Sequence, residues 1–169
     1  MDQKMIDAIN EQINAELYSA YLYYAMAAWF EENNLPGMAQ WMKAQTQEEL
    51  FHADKFFNFV AERGGRVILK AIDAPPTDWD SPLAVFEHAY SHEQHVTGLI
   101  NELVNLAIEL KDHATNQFLQ WYVAEQVEEE DNTSTVANQV RMVEGTASLF
   151  MLDRELGQRV FTPPAATEE

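Results

Sequence analysis

Residues 65–82 read "GRVILKAIDAPPTDWDSP", and the fold of the chain turns on them. No helical or strand period runs through this stretch, and the pair Pro75-Pro76 interrupts it. On either side the pattern is regular. Upstream, Ile6, Ile9, Ile13, Leu17, Ala20, Tyr23, Tyr24 and Ala27 recur at three- and four-residue steps, which predicts a helix from Lys4 to Asn33. Pro36 suits the first turn of a second helix, which carries Trp41, Phe51, Phe56 and Val60 to a stop at Gly64-Gly65. Downstream, Ser81-Pro82 reads as an N-cap followed by a proline at the first helical position. A third helix then carries Phe86, Tyr90, Ile100, Leu103, Val104 and Ala107 to about Lys111. "DHAT" (112–115) predicts a short break. A fourth helix with Phe118, Trp121, Tyr122 and Val136 follows, ending near Gly145. A short fifth helix, "TASLFMLDREL" (146–156), stops at Gly157, and the tail from about 160 is expected to be flexible.

The long crossover implies parallel neighbours on its two sides, whereas the short links join antiparallel ones. The expected fold class is therefore all-α, with residues 1–169 forming a single domain. Four long helices with one long connection make the ferritin-like four-helix bundle rather than the simple up-down-up-down kind. No strand alternation, internal repeat or glycine-rich phosphate loop is visible.

Composition narrows the function. With no cysteine, the chain has no disulfide, thiolate metal site or thiol nucleophile. It has no apolar run of the ~18 residues that a membrane span needs, and "MDQKMIDAINEQ" (1–12) shows no secretory signal. These features fit a cytoplasmic protein. The formal charge of −18 repels nucleic acid and anionic membranes and attracts cations.

Solubility alone explains exposed acids but not acids on apolar faces. At ~100° per residue, Glu16 shares the face of Ile9, Ile13, Ala20 and Tyr23. Glu49 and His52 lie in line with Met42, Gln45, Phe56 and Phe59. Phe86, Tyr90, Ile100 and Val104 flank Glu93, and Phe118, Trp121 and Tyr122 lead into Glu125 and Glu129. A single such acid is ordinarily at a rim, protonated or ion-paired. Four helices doing so together would bury several carboxylates, each at a cost of several kcal/mol, and Lys43, Lys55 and Arg63 fall off the Glu49/His52 face. One or two divalent cations would neutralise the cluster. Glu-x-x-His with glutamates from facing helices is the di-iron carboxylate arrangement. Oxygen-rich ligands with one imidazole suit Fe(II) or Mn(II) and admit zinc, while calcium seldom takes imidazole.

The segments "NAELYSAYLYY" (14–24), "QEELFHADK" (47–55), "SHEQHVTGLINEL" (91–103) and "NQFLQWYVAEQVEEE" (116–130) resemble the helix signatures of prokaryotic non-haem ferritins. The resemblance implies one iron held by Glu16, Glu49 and His52, with Glu49 bridging to a second held by Glu93 and Glu129. It also implies a third, looser iron site at Glu48, Glu125, Glu128 and Glu129. On the fourth helix, relative to Glu125, Glu129 lies at about +40°, Gln126 at about +100° and Glu128 at about −60°. Gln126 and Glu129 can thus serve the centre while Glu125 and Glu128 flank it, and Tyr23 can hydrogen-bond a ligand. The resemblance further implies a ferroxidase that oxidises Fe(II) with O2 or H2O2, and a shell of 24 copies that stores ferric mineral.

Related iron proteins fit less well. Bacterioferritins and rubrerythrins have a second Glu-x-x-His where this chain has Gln126-x-x-Glu129. A haem-ligating Met follows the first motif's glutamate in bacterioferritins, at the position of Leu50 here, so no haem is expected. Rubrerythrins carry cysteine pairs, and there are none. The rival readings are a di-iron peroxidase or oxidase and a non-catalytic bundle with a structural divalent ion. His88, His92 and His95 form a stripe, but His92 lies ~100° and His95 ~200° from Glu93, which points to polar packing. "DNTSTVANQ" (131–139) departs from the resemblance by being polar and β-branched, which weakens helix propensity there.

Overall fold

The computed structural model describes residues 1–163 and consists of five helices. They are α1 (Gln3–Glu32), α2 (Pro36–Glu62), α3 (Pro82–Glu109), α4 (His113–Val143) and α5 (Ser148–Leu156). No strand occurs among the described residues. Part of the tail expected to be flexible, residues 164–169, lies outside the described residues.

Each long helix begins and ends for a local reason. Asp2 accepts from Lys4 N at 2.8 Å to cap α1, and Ser81 accepts from Ala84 N at 3.2 Å to cap α3. Three helices end in the same way, with a residue in the left-handed region closing two backbone bonds. After α2 that residue is Gly64 (φ 72°), with Gly65 N–H donating to Val60 O at 2.8 Å. After α1 it is Asn34 (φ 60°), and after α3 it is Lys111 (φ 54°). Lys111 makes the α3–α4 turn tighter than the sequence suggests. Asp112 accepts from Thr115 N at 3.1 Å, so α4 starts at His113 and the expected break over 112–115 shrinks to the turn itself. The polar stretch 131–139 remains helical inside α4. Thr133 is buried and donates to Glu129 O at 2.6 Å, and Val136 and Ala137 join the core.

The crossover runs alongside α1. Asn10 donates to Arg66 O at 3.1 Å and accepts from Ile68 N at 2.9 Å, Asn14 donates to Ala71 O, and Trp29 Nε1 donates to Asp78 at 3.0 Å. As the crossover advances from Arg66 to Asp78, its partners on α1 advance from Asn10 to Trp29. It therefore undoes the progress of α2, and α3 starts level with the start of α2, where Trp41 meets Phe86 edge-on. α2 and α3 are thus parallel, as expected, but they are not close backbone neighbours. The close pairs are α1 with α2, α3 with α4 and α1 with α3.

Two apolar clusters fill the bundle. One gathers Leu22, Met26, Phe30, Met38, Met42, Phe86 and Val140. The other gathers Ile9, Ile13, Phe56, Val60, Ile100, Leu119 and Tyr122, with Phe56 stacked on Tyr122 at 4.0 Å between centroids. On every long helix the chain passes from one cluster to the other through a polar layer, and that layer positions the site.

A buried carboxylate and histidine centre

The layer consists of Glu16 on α1, Gln45, Glu49 and His52 on α2, Glu93 on α3, and Gln126 and Glu129 on α4, all buried. The acids expected to face inward from four helices therefore do so together. Ligand atoms of Glu16, Glu49 and His52 lie within 4.8 Å of one another, and so do those of Glu48, His52 and Glu129. Glu93 joins the layer from the third side, close enough to raise the affinity of Glu49 and Glu129 for protons.

Neutral donors hold one oxygen of Glu16 and of Glu129 and both oxygens of Glu93. Gln12 Nε2 donates to Glu16 Oε1 at 2.9 Å, and Gln45 Nε2 donates to Glu129 Oε2 at 2.9 Å. Gln126 Nε2 donates to Glu93 Oε2 at 3.1 Å, and the Tyr23 hydroxyl donates to Glu93 Oε1. Tyr23 and Gln126 thus both hydrogen-bond Glu93, one of the acids expected to hold metal. Gln12 had no expected role, although its position one turn before Glu16 on the same face was the available signal. Gln45 was visible on the Glu49 face, but a neutral amide there reads as ordinary packing.

Other oxygens point into the layer with no partner. Glu16 Oε2 and Glu49 Oε2 are buried and unbonded among the described residues. Burial raises the Glu16 carboxyl to about 7, helped by the charge of Glu93 and opposed by the Gln12 bond. Burial, then the charge of Glu93, pushes Glu49 and Glu129 well above the usual carboxylate range. Burial also lowers His52 to about 4. Its Nδ1 lies 3.4 Å from Glu49 Oε2, yet at neutral pH the ring is uncharged and the contact is not an ion pair. A neutral imidazole with several desolvated carboxylates and no cation in the layer is the donor set of a divalent metal. The residues fit the group, because a cation would satisfy Glu16 Oε2 and Glu49 Oε2, which accept no hydrogen bond.

The flanking acids divide. Glu48 and Glu125 are half-buried, and burial raises both carboxyls. Glu128 is exposed. The expectation that basic residues stand clear of the acids needs one correction: Arg159, from the tail, donates to Glu48 Oε2 at 2.8 Å. Periodicity could not reveal it, because Arg159 lies beyond the last helix. Trp121 packs edge-on against His52 at 5.4 Å between centroids. The histidine stripe is used for packing: His88 Nδ1 accepts from Trp79 Nε1 at 3.0 Å, and His92 Nε2 sits 2.7 Å from Ser19 Oγ.

Comparison with known proteins agrees with this geometry. The ferritin-like domain family matches residues 6–143. A bacterial non-heme ferritin of Bacteroides fragilis is 43% identical, covering 94% of this chain and 99% of the relative. One from Staphylococcus saprophyticus is 38% identical, covering 95% and 97%. Among solved structures, an engineered closed form of the Archaeoglobus fulgidus ferritin superposes with a TM-score of 0.94 at 54% identity, covering 96% of this chain and 99% of that one. The open-pore ferritin from the same archaeon gives 0.93 at 54% identity, covering 94% and 99%. The chain belongs to the ferritin family of iron-storage proteins.

Proposed function

We infer that this protein is a ferroxidase that oxidises Fe(II) at the buried carboxylate centre and stores the ferric product inside a shell of 24 copies. The observation that carries the reading is the layer itself: Glu16, Glu49, His52, Glu93 and Glu129 are buried together with no cation among them. As substrate, one Fe(II) would be held by Glu16, Glu49 and His52 and a second by Glu49, Glu93 and Glu129. Glu48, Glu125 and Glu128 with Glu129 would hold a third, looser iron.

The chain's own residues supply position, charge and protons. Gln12, Gln45, Gln126 and Tyr23 orient Glu16, Glu129 and Glu93, while Glu16 Oε2 and Glu49 Oε2 carry no hydrogen bond and are available to metal. Hard, anionic oxygens favour Fe(III) over Fe(II), which aids loss of an electron from each iron to O2 or H2O2. Carboxylates protonated in the metal-free site must release their protons when iron binds. The apolar clusters on both sides keep bulk water from the layer. The position after Glu49 is Leu50, a side chain that cannot ligate haem, and it is exposed on the surface. No helix among the described residues is long and apolar enough to cross a membrane, in keeping with a cytoplasmic role.

An exposed apolar face supports assembly. Tyr21, Tyr24, Leu50, Phe57, Ile68, Leu69 and Ile72 are all exposed on α1, α2 and the crossover. Size exclusion separates a shell from a small oligomer. The decisive test is aerobic addition of Fe(II) to purified apoprotein, with Glu49→Ala and His52→Ala alongside. Wild type is expected to oxidise iron much faster than buffer and to retain many irons per chain after desalting. The reading fails if the variants match wild type.

A further inference from the structure

The Arg159–Glu48 contact is built rather than incidental. α5 docks on the start of α2, where the buried Asp153 carboxylate accepts from Met38 N at 2.8 Å. From that anchor the chain turns back along α2. Gln40 Nε2 donates to Arg159 O at 3.3 Å, the guanidinium carbon lies 4.3 Å from the centre of the Trp41 ring, and Phe161 lies 5.9 Å from Phe51 between ring centroids. The arginine is thus held by its backbone, by an aromatic face and by a residue beyond it. Its side chain is only 22% exposed and that of Glu48 only 18%. Arg159 also falls outside residues 6–143, the part matched by the family as a whole.

Glu48 is claimed twice. It belongs to the group with His52 and Glu129 whose ligand atoms come within 4.8 Å, and it is the carboxylate that Arg159 neutralises. A divalent cation on Glu48 and a guanidinium on the same carboxylate would place like charges a few ångströms apart in a partly desolvated setting. The two cations therefore compete for one carboxylate.

We propose that Arg159 is a built-in counter-cation that a metal arriving at the flanking site must displace, so that occupancy of that site and docking of residues 157–163 exclude one another. This rests on the flanking site being a metal site. In the metal-free state the arginine keeps Glu48 paired. When metal fills the flanking site, Arg159 leaves Glu48 and Trp41, and the segment after α5 loosens. The tail thereby reports, and opposes, the loading of the third position.

The test uses redox-inert Zn(II) on the intact assembled apoprotein, with binding followed by calorimetry and amide hydrogen exchange followed over 157–163. Arg159→Gln is expected to bind the third equivalent about tenfold more tightly than wild type, the scale of one partly buried ion pair. Arg159→Lys, which keeps the charge, should stay near wild type. In wild type, exchange over 157–163 should accelerate as the third equivalent binds and not during the first two. Glu48→Gln should lose that equivalent. Wild-type affinity in Arg159→Gln, or unchanged tail exchange across the third equivalent, overturns the displacement while leaving the flanking site standing. Absence of a third equivalent in every chain, or its survival in Glu48→Gln, overturns the flanking site and the displacement together.

Discussion

Gln45 donates a 2.9 Å hydrogen bond to Glu129, joining α2 to α4 at the level of the acidic layer. The bond occupies one carboxylate oxygen and lowers the proton affinity of Glu129 against the opposing effect of burial. Gln45→Ala removes the donor and leaves Glu129 free to turn and to protonate. Loss of such a supporting bond costs ~10–100-fold in metal affinity. Competition with a chromophoric chelator should show this drop for metal held by Glu129, with the fold retained. Unchanged affinity would mean that Gln45 only fills space.

The metal-free protein should have a stability optimum on the acid side of neutral. Burial raises the folded-state value of Glu16 to about 7 from 4.5. Its favourable contribution is therefore fully present below the unfolded value and is lost as pH rises through about 7. His52 runs the other way. Burial lowers it to about 4 from 6.5, so its contribution is present above 6.5 and is lost as pH falls through about 4. The two full windows, below 4.5 and above 6.5, do not overlap, and between them the opposing slopes cancel. The raised carboxyls of Glu49, Glu93 and Glu129 add further loss as pH rises. The thermal midpoint of chelator-stripped protein should therefore fall between about pH 6 and 8, and Glu16→Gln should lessen that fall. A steady gain in stability up to pH 8 would contradict the assignment.

Gly37 should tolerate no side chain. A Cβ at this position would overlap the Asp153 carbonyl where α5 crosses the first turn of α2. Overpacking of this kind costs about 1–3 kcal/mol. Gly37→Ala is expected to detach α5 before it unfolds the bundle. Hydrogen exchange should rise over 148–163 and remain slow over the middle of α2. Equal protection of α5 in the variant and wild type would count against this account.

Lys111 has the opposite fault. Its φ of 54° lies in the left-handed region, which costs an L-residue with a Cβ ~1 kcal/mol or more. Lys111→Gly should relieve that strain at the α3–α4 turn. A rise in the denaturation midpoint of the metal-free protein, with activity unchanged, is the expected result. A lower midpoint would show that the lysine makes an offsetting contribution.

Much of the buried layer was legible because each of its acids and its histidine can be placed relative to its own helix. Glu16, Glu49, His52, Glu93 and Glu129 interrupt apolar stripes whose period is local, and the structure keeps every one of them inside. The supporting donors were harder to see. Gln12 and Gln45 are uncharged, so nothing in their chemistry marks them apart from packing. Arg159 was invisible for another reason: it follows the last periodic segment, and no repeat relates it to Glu48, which is 111 positions away. The short α3–α4 turn was expected at 112–115 but lies at 110–112, because Asp112 both closes one helix and caps the next.

By itself, the sequence determined where the helices run, that a long crossover separates two pairs of them, and which acids lack an apolar excuse. Those features follow from the 3.6-residue period and from the energetic cost of burying charge, both properties of short segments. Only the tertiary structure decided that the parallel α2 and α3 are not close backbone neighbours, which carboxylate oxygens meet an amide and which meet none, and that the tail returns an arginine to Glu48. Those outcomes depend on how helices rotate and slide against one another. Packing across the two apolar clusters sets those degrees of freedom, and no local pattern encodes them.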